Sequence, residues 1–422
     1  MKNKIHCRNL DEQAKVFSLA SSKKYSSIFR LSVILKEKIE SNLLEQAVIL
    51  ALEKYKAYKV KMKRGFFWYY LEHNLKTPII KQENDFPFKK LGNKENNDYL
   101  FKVTYFNNKI NLEIYHILTD GNSGADFLKE IVYRYLELKY PEKLETMELE
   151  KSEILYDSEN AYMNVFKKSC KNPNATKRAY LLQGETLEKG QIGINHFNIN
   201  LNEIKNCTKT KAASISMFII AMIGYSIYET NYKENNGKKP INICVPINLK
   251  KYFTSETISN FFSYMIITLK FKKNKKYSFD NILEMVKKQF EIKLKLETII
   301  ATMSSAVGMT NNAFVRKIPL YLKKFFVRLG SLEMKRHFTM TVSNIGKLDI
   351  DKKYSEYIDK FFVILSPDWA EKIKCGICSY EDNLVVTFGS RLKDAFIENR
   401  FKNLLIENNI NFKVEKHEIQ AI

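Results

Sequence analysis

Apolar and polar positions along the chain follow two periods that trade places repeatedly. Residues 28–35, Ile-Phe-Arg-Leu-Ser-Val-Ile-Leu, predict a strand, and 41–58 a helix with Leu43, Leu44, Ala47, Leu50 and Ala51 on one face. An aromatic run at 65–72 predicts a second strand, and Pro78 and Pro87 mark the loop that follows. Residues 100–106 and 109–117 predict a hairpin turning at Asn107-Asn108, so the sheet here is expected to be largely antiparallel. Beyond it Phe127, Leu128, Ile131, Val132, Tyr135 and Leu136 make a helical stripe that stops near Pro141, with Ser123 and Asp126 spaced as a capping box.

From 142 to 191 the pattern loosens into polar residues, as a long connection does. The chain is therefore expected to divide into a first lobe at 1–150, a connection at 151–190 and a second lobe at 191–422, since its length exceeds one ordinary core. The second region repeats the alternation. Strands are expected at 193–199, 241–246, 261–271, 338–342, 361–365, 375–380 and 383–388, and helices at 201–210, 214–229, 279–300, 319–336 and 394–407. The fold class is α/β (α+β), with two lobes of mixed, largely antiparallel sheet and helices. The segment 319–336 sets Leu320, Leu322, Phe325, Phe326 and Leu329 among Lys and Arg. It reads as a helix packed on the protein, lysine stems lying along apolar surface, in preference to a membrane-surface helix.

Charge changes this picture little. The formal net charge is +22, but it comes mostly from Lys spread end to end among Asn, Glu and Ile rather than gathered with Arg and aromatics, so no nucleic-acid partner is expected. A general positive field still suits a phosphorylated co-substrate. The longest apolar stretch, 215–227, is too short to cross a bilayer, and no transmembrane segment is expected. Six scattered cysteines and an opening Met1-Lys-Asn-Lys-Ile-His without the apolar core of a signal peptide point to a reduced, cytoplasmic protein. Cys375 and Cys378 are three apart in a predicted strand and so face opposite ways, which favours buried thiols over a metal or redox pair.

The chemistry concentrates at Tyr115-His-Ile-Leu-Thr-Asp-Gly-Asn-Ser123. His116 ends a strand whose Ile110, Leu112 and Ile114 share its face, so its imidazole is expected at the edge of an apolar layer. Asp120 is placed to form a buried ion pair that locks the turn, and Gly121 to leave space for a ligand. The next helix aims its positive end back at the turn, which lowers an imidazole pKa and keeps the ring neutral, the form a general base needs.

The segment resembles the HHxxxDG signature of the coenzyme A-dependent acyltransferase superfamily, which includes chloramphenicol acetyltransferases, alcohol acetyltransferases and the condensation domains of peptide synthetases. Phe29-Arg-Leu, the aromatic run from Gly65, Val245-Pro-Ile-Asn-Leu-Lys250 with Asn260-Phe261, and Thr341-Val-Ser-Asn-Ile-Gly346 resemble further segments of the alcohol acetyltransferase and condensation-like branch, in the same order. The resemblance spans nearly the whole chain. It implies two chloramphenicol-acetyltransferase-like lobes meeting at a tunnel, and transfer of an acyl group from coenzyme A to a small alcohol or amine.

By this resemblance His116 is the general base, and Asp120 holds the loop through an arginine, Arg30 being the candidate. Gly121 and Ser123 border the donor path. Ser343 and Asn344 line the tunnel as donors to substrate or oxyanion, with a purely structural role equally open. No metal or permanently bound cofactor is implied; acyl-CoA is a co-substrate. A phosphopantetheinyl carrier protein is the alternative donor, and a non-catalytic binding relative the alternative class. Two positions depart from the pattern: Tyr115 replaces the first motif histidine, and Lys250 the arginine of PVNLR.

Overall fold

A computed structural model describes residues 7–21, 27–84, 86–144, 155, 159–168, 170–232 and 238–419. The chain opens with β1 (Cys7–Asn9), α1 (Glu12–Ala20), β2 (Ile28–Leu35) and α2 (Ser41–Lys54), then β3 (Val60–Arg64), β4 (Tyr69–His73) and β5 (Ile80–Gln82). The predicted hairpin follows as β6 (Phe101–Phe106) and β7 (Lys109–Tyr115), and leads into α3 (Gly121–Lys139). Within the expected connection lies α4 (Ala161–Val165). After it come β8 (Ile192–Asn200), α5 (Leu201–Thr210), α6 (Ile215–Ile227), β9 (Ile241–Asn248) and β10 (Phe262–Leu269). Four helices are next: α7 (Phe279–Lys293), α8 (Leu296–Asn311), α9 (Ala313–Lys317) and α10 (Leu320–Lys335). The last elements are β11 (Met340–Lys347), α11 (Lys352–Ser355), β12 (Ile358–Leu365), β13 (Ile373–Tyr380), β14 (Asn383–Ser390), α12 (Phe396–Glu407) and β15 (Phe412–Ile419).

Two large sheets carry these elements. One has five strands in the order β12-β2-β7-β6-β5, the other seven in the order β10-β9-β11-β13-β14-β8-β15, and a small β1-β4-β3 sheet stands apart. Each large sheet has its own core. In the first, the amphipathic faces of α2 and α3 cover Leu31, Val33, Ile110, Leu112 and Ile114; in the second, the largely apolar α6 lies buried against β9, with α7 beside it. No single described helix is long and apolar enough to cross a membrane.

Because β2 and β7 are central strands, their second face is also covered, and it is polar. Arg30 lies there between Glu113 (2.9 Å) and Glu83 (2.5 Å), and Ser32 Oγ donates to Asn111 Oδ1 at 2.7 Å. Arg30 is thus committed to two carboxylates, both distinct from Asp120.

One strand departs from the sequence-based division. β12, from within 191–422, pairs antiparallel with β2 of the first sheet, Phe361 opposite Val33. Its backbone also crosses the face of the β13–β14 ladder: a Cβ on Gly376 would stand 2.2 Å from the Val363 carbonyl oxygen, and one on Gly389 2.9 Å from that of Leu365. Only glycine permits so close an approach. Periodicity marks 361–365 as a buried strand but carries no information on which sheet it joins. Gly376→Ala is expected to lower stability by about 1–3 kcal/mol, because a methyl forced onto a carbonyl must push one sheet off the other; the shift of the urea midpoint measures it.

Two helical expectations also change. The predicted 279–300 helix is two, α7 and α8, broken where Lys295 turns extended. α10 forms where expected and packs on the protein beside α1, yet the helix buries only Leu320 and Lys323 and leaves Phe325, Phe326 and Leu329 exposed, so its apolar stripe is not the face that packs. Cys375 and Cys378 do face opposite cores, and burial pushes the Cys378 thiol up to about 12.

Candidate active site at the junction of the sheets

β7 ends at Tyr115, whose ring goes into the first core, and His116 is the first residue of the turn leading to α3. The turn is held on both sides. The His116 backbone N–H donates to Ser27 O at 2.9 Å, and its carbonyl accepts from Asn260 Nδ2 at 2.8 Å. Three aromatic rings enclose the imidazole: Phe29 of β2 with its centroid at 4.5 Å, Phe17 of α1 stacked at 5.1 Å, and Phe262 of β10 at 5.9 Å. The enclosure therefore draws on both sheets.

Such a setting costs an imidazolium its hydration. Burial pushes the His116 pKa from 6.5 down to about 4; the Asp120 carboxylate, the Asn260 side chain and the Thr119 backbone favour the cation and only partly offset this, while Lys374 adds to the depression. The expected direction holds, but the leading cause is the aromatic enclosure rather than the helix end. Nδ1 is buried with no hydrogen bond of ordinary geometry among the described residues, and so is the neighbouring Asn260 Oδ1. A buried, neutral ring with a free nitrogen can accept a proton if a donor enters.

Asp120 is buried and acts as a two-sided latch. Its Oδ1 accepts from the Ser123 N–H at 3.0 Å, capping α3, and its Oδ2 accepts from the Phe261 N–H at 2.9 Å, which tethers the segment ahead of β10. The expected ion pair with Arg30 is replaced by these two backbone bonds, and the expected Ser123–Asp126 capping box by Asp120 itself. Beside the latch, Tyr58 Oη donates to Ile258 O at 2.8 Å, and Thr119 Oγ1 to the same oxygen at 2.6 Å. Residues 258–261 are thus laced to the histidine turn.

Gly121 opens room toward protein: a Cβ there would stand 3.1 Å from Ile345 Cγ2 of β11. The Ser123 hydroxyl accepts from Lys250 Nζ at 3.0 Å, so the lysine that replaces the motif arginine still bridges the two halves. Ser343 is half-buried and shares the β11 face of Ile345, toward the first sheet. Asn344 faces the other way. Its Nδ2 donates to Ser216 Oγ of α6 at 3.0 Å and its Oδ1 accepts from the Gly346 N–H at 2.8 Å. Of the two expected tunnel donors, Asn344 is thus committed to protein partners.

The residues that sequence reasoning passed over are Asp11 and Phe17. Asp11 caps α1 through the Ala14 N–H at 2.8 Å and accepts from Asn260 Nδ2 at 2.9 Å; its carboxyl is pushed up to about 6 by burial. An Asp three residues before the alanine of an apolar-striped helix is a legible cap, but its link to residue 260 is not. The two described surface hollows, 190 Å³ between α3 and Tyr357 and 260 Å³ along α10, do not touch His116. Among the described residues no group of three or more His, Cys, Asp or Glu is placed to hold a metal ion.

By sequence, no family model and no curated protein matches the chain. By fold, solved structures match it almost end to end. A Fusarium graminearum protein complexed with coenzyme A and deoxynivalenol superposes with a TM-score of 0.64 at 10% identity, over 96% of this chain and 99% of that one. The trichothecene 15-O-acetyltransferase of Fusarium sporotrichioides gives 0.61 at 9%, over 95% and 94%. The first condensation domain of the calcium-dependent antibiotic synthetase gives 0.60 at 12%, over 96% of both. The chain has the two-lobed chloramphenicol-acetyltransferase-like fold that these acyltransferases and condensation domains share.

Proposed function

We propose that the chain transfers an acyl group from a coenzyme A thioester to a hydroxyl or amine, with His116 as general base. The observation that carries this reading is the His116 ring: neutral through burial, with an unpartnered nitrogen, and enclosed by aromatics from both sheets. The ring removes the acceptor's proton as its oxygen or nitrogen attacks the thioester carbonyl carbon. The tetrahedral oxyanion then collapses, the carbon–sulfur bond breaks, and the proton passes to the leaving thiolate. Ser343 is the candidate donor to the oxyanion, being half-buried on the β11 face toward the first sheet. Asp120, Asn260 and Lys250 are positioning residues that fix the turn and join the halves. A low-dielectric enclosure also excludes water, which would otherwise hydrolyse the thioester.

The test is incubation with acetyl-CoA and longer acyl-CoAs, a panel of alcohols and amines, and a thiol reagent. Acceptor-dependent thiol release with any of these donors supports the reading. Release only from an acylated carrier protein assigns the donor to a condensation-like system, and no transfer from either donor leaves a binding role.

A further inference from the structure

The polarity of α10 is inverted. Its inward face buries Lys323, 2% exposed, whose Nζ donates to Phe67 O at 3.0 Å and sits 3.5 Å from the Trp68 ring centre. Its outward face carries Leu322, Phe325, Phe326, Leu329 and Leu332 at helical spacing, with Phe325 59%, Phe326 61% and Leu329 52% exposed. Phe314 of α9 adds a ring that is 78% exposed. An apolar stripe this long on the surface of a folded chain marks an interaction site.

Its border fits one kind of surface. From 313 to 331 the sequence holds Arg316, Lys317, Lys323, Lys324 and Arg328 and no acidic residue. Lys324 and Arg328 flank the stripe and, with Arg64, line a 260 Å³ groove that Tyr321, Phe325 and Leu329 close on its apolar side. Aromatic and leucine side chains beside a basic rim suit the boundary between acyl chains and anionic headgroups. A two-fold contact with a second copy would instead set basic rim against basic rim.

We infer that α9 and α10 dock the protein on an anionic lipid surface, the stripe of Phe325, Phe326 and Leu329 entering the headgroup boundary and the Arg64–Lys324–Arg328 groove receiving headgroups. The inference is independent of the acyl-transfer reading, because it rests on a different face.

Vesicle sedimentation of the full chain tests it. The protein is expected to sediment with phosphatidylcholine vesicles containing about one quarter phosphatidylserine and far less with phosphatidylcholine alone, and salt weakens the binding. Phe325→Glu with Phe326→Glu, both at exposed sites, lowers the bound fraction's partition coefficient by about tenfold or more. Arg316→Glu with Lys317→Glu, which removes no apolar surface, weakens it by about tenfold as well. Unchanged binding in both double variants overturns the proposal, as does absence of vesicle binding by the parent chain. A dimer in sedimentation equilibrium that the Phe325 and Phe326 variant dissolves, without vesicle binding, assigns the face to self-association.

Discussion

His116→Ala lowers kcat for acyl transfer by about 10²–10⁴, the range general-base catalysis supplies, while KM for the acyl donor changes little. The ring's Nδ1 makes no hydrogen bond of ordinary geometry among the described residues, and the turn is anchored by the backbone groups of His116, which alanine keeps. The cavity left among Phe17, Phe29 and Phe262 weakens packing, but removal of an enclosed side chain on this scale costs stability rather than the whole fold. A variant with an unchanged far-ultraviolet dichroism spectrum and a collapsed kcat is the expected result. A folded variant that keeps the parental rate removes His116 from the chemistry.

Asp120→Ala is expected to cost about 2–5 kcal/mol of stability and also to lower kcat. Two buried backbone donors, Ser123 N–H and Phe261 N–H, lose their acceptor together, and an unsatisfied buried donor costs about 1–3 kcal/mol while a lost helix cap costs about 0.5–2 kcal/mol. The second bond spans 141 residues and holds the strand bearing Phe262 against the histidine turn, so its loss slackens the enclosure as well as α3. Misplacement by about 1 Å is enough to cost about 10²-fold in rate. Asp120→Asn keeps one acceptor oxygen and is expected to fall between parent and alanine in both urea midpoint and kcat. A residue acting directly on substrate would lose rate without losing stability, and that outcome would reassign Asp120.

How far these contacts are legible in sequence depends on their range. The hairpin of β6 and β7, the stripe of α3 and the opposed cysteines follow local periodicity, and the structure keeps them. The histidine, aspartate and glycine of the turn are legible as a motif, from their spacing within Tyr115–Ser123. What stayed hidden is non-local. Asp120 and Arg30 carry opposite charge, yet Arg30 is claimed by Glu83 and Glu113 through a strand register that periodicity cannot supply. β12 reads as a buried strand, but joining the first sheet depends on a glycine at 376 that lets two sheets cross. For α10 the pattern gives an amphipathic helix and leaves open which face turns inward; Trp68, some 250 residues away, decides it by taking Lys323 over its ring.

The central claim, a neutral buried base, is tested most directly by the pH dependence of kcat/KM for acceptor-dependent thiol release. A folded-state pKa held down near 4 keeps His116 unprotonated throughout neutral and mildly acidic pH; activity is lost only as pH falls through that value, while the stability present above the free-imidazole value of 6.5 declines progressively from about 6.5 down to about 4, as the unfolded chain protonates first. The account predicts a flat profile from pH 8 to about 5 and half-loss near pH 4, in step with protonation. Half-loss near the free-imidazole value would contradict it, since the base would then be hydrated and the aromatic enclosure without effect on its charge.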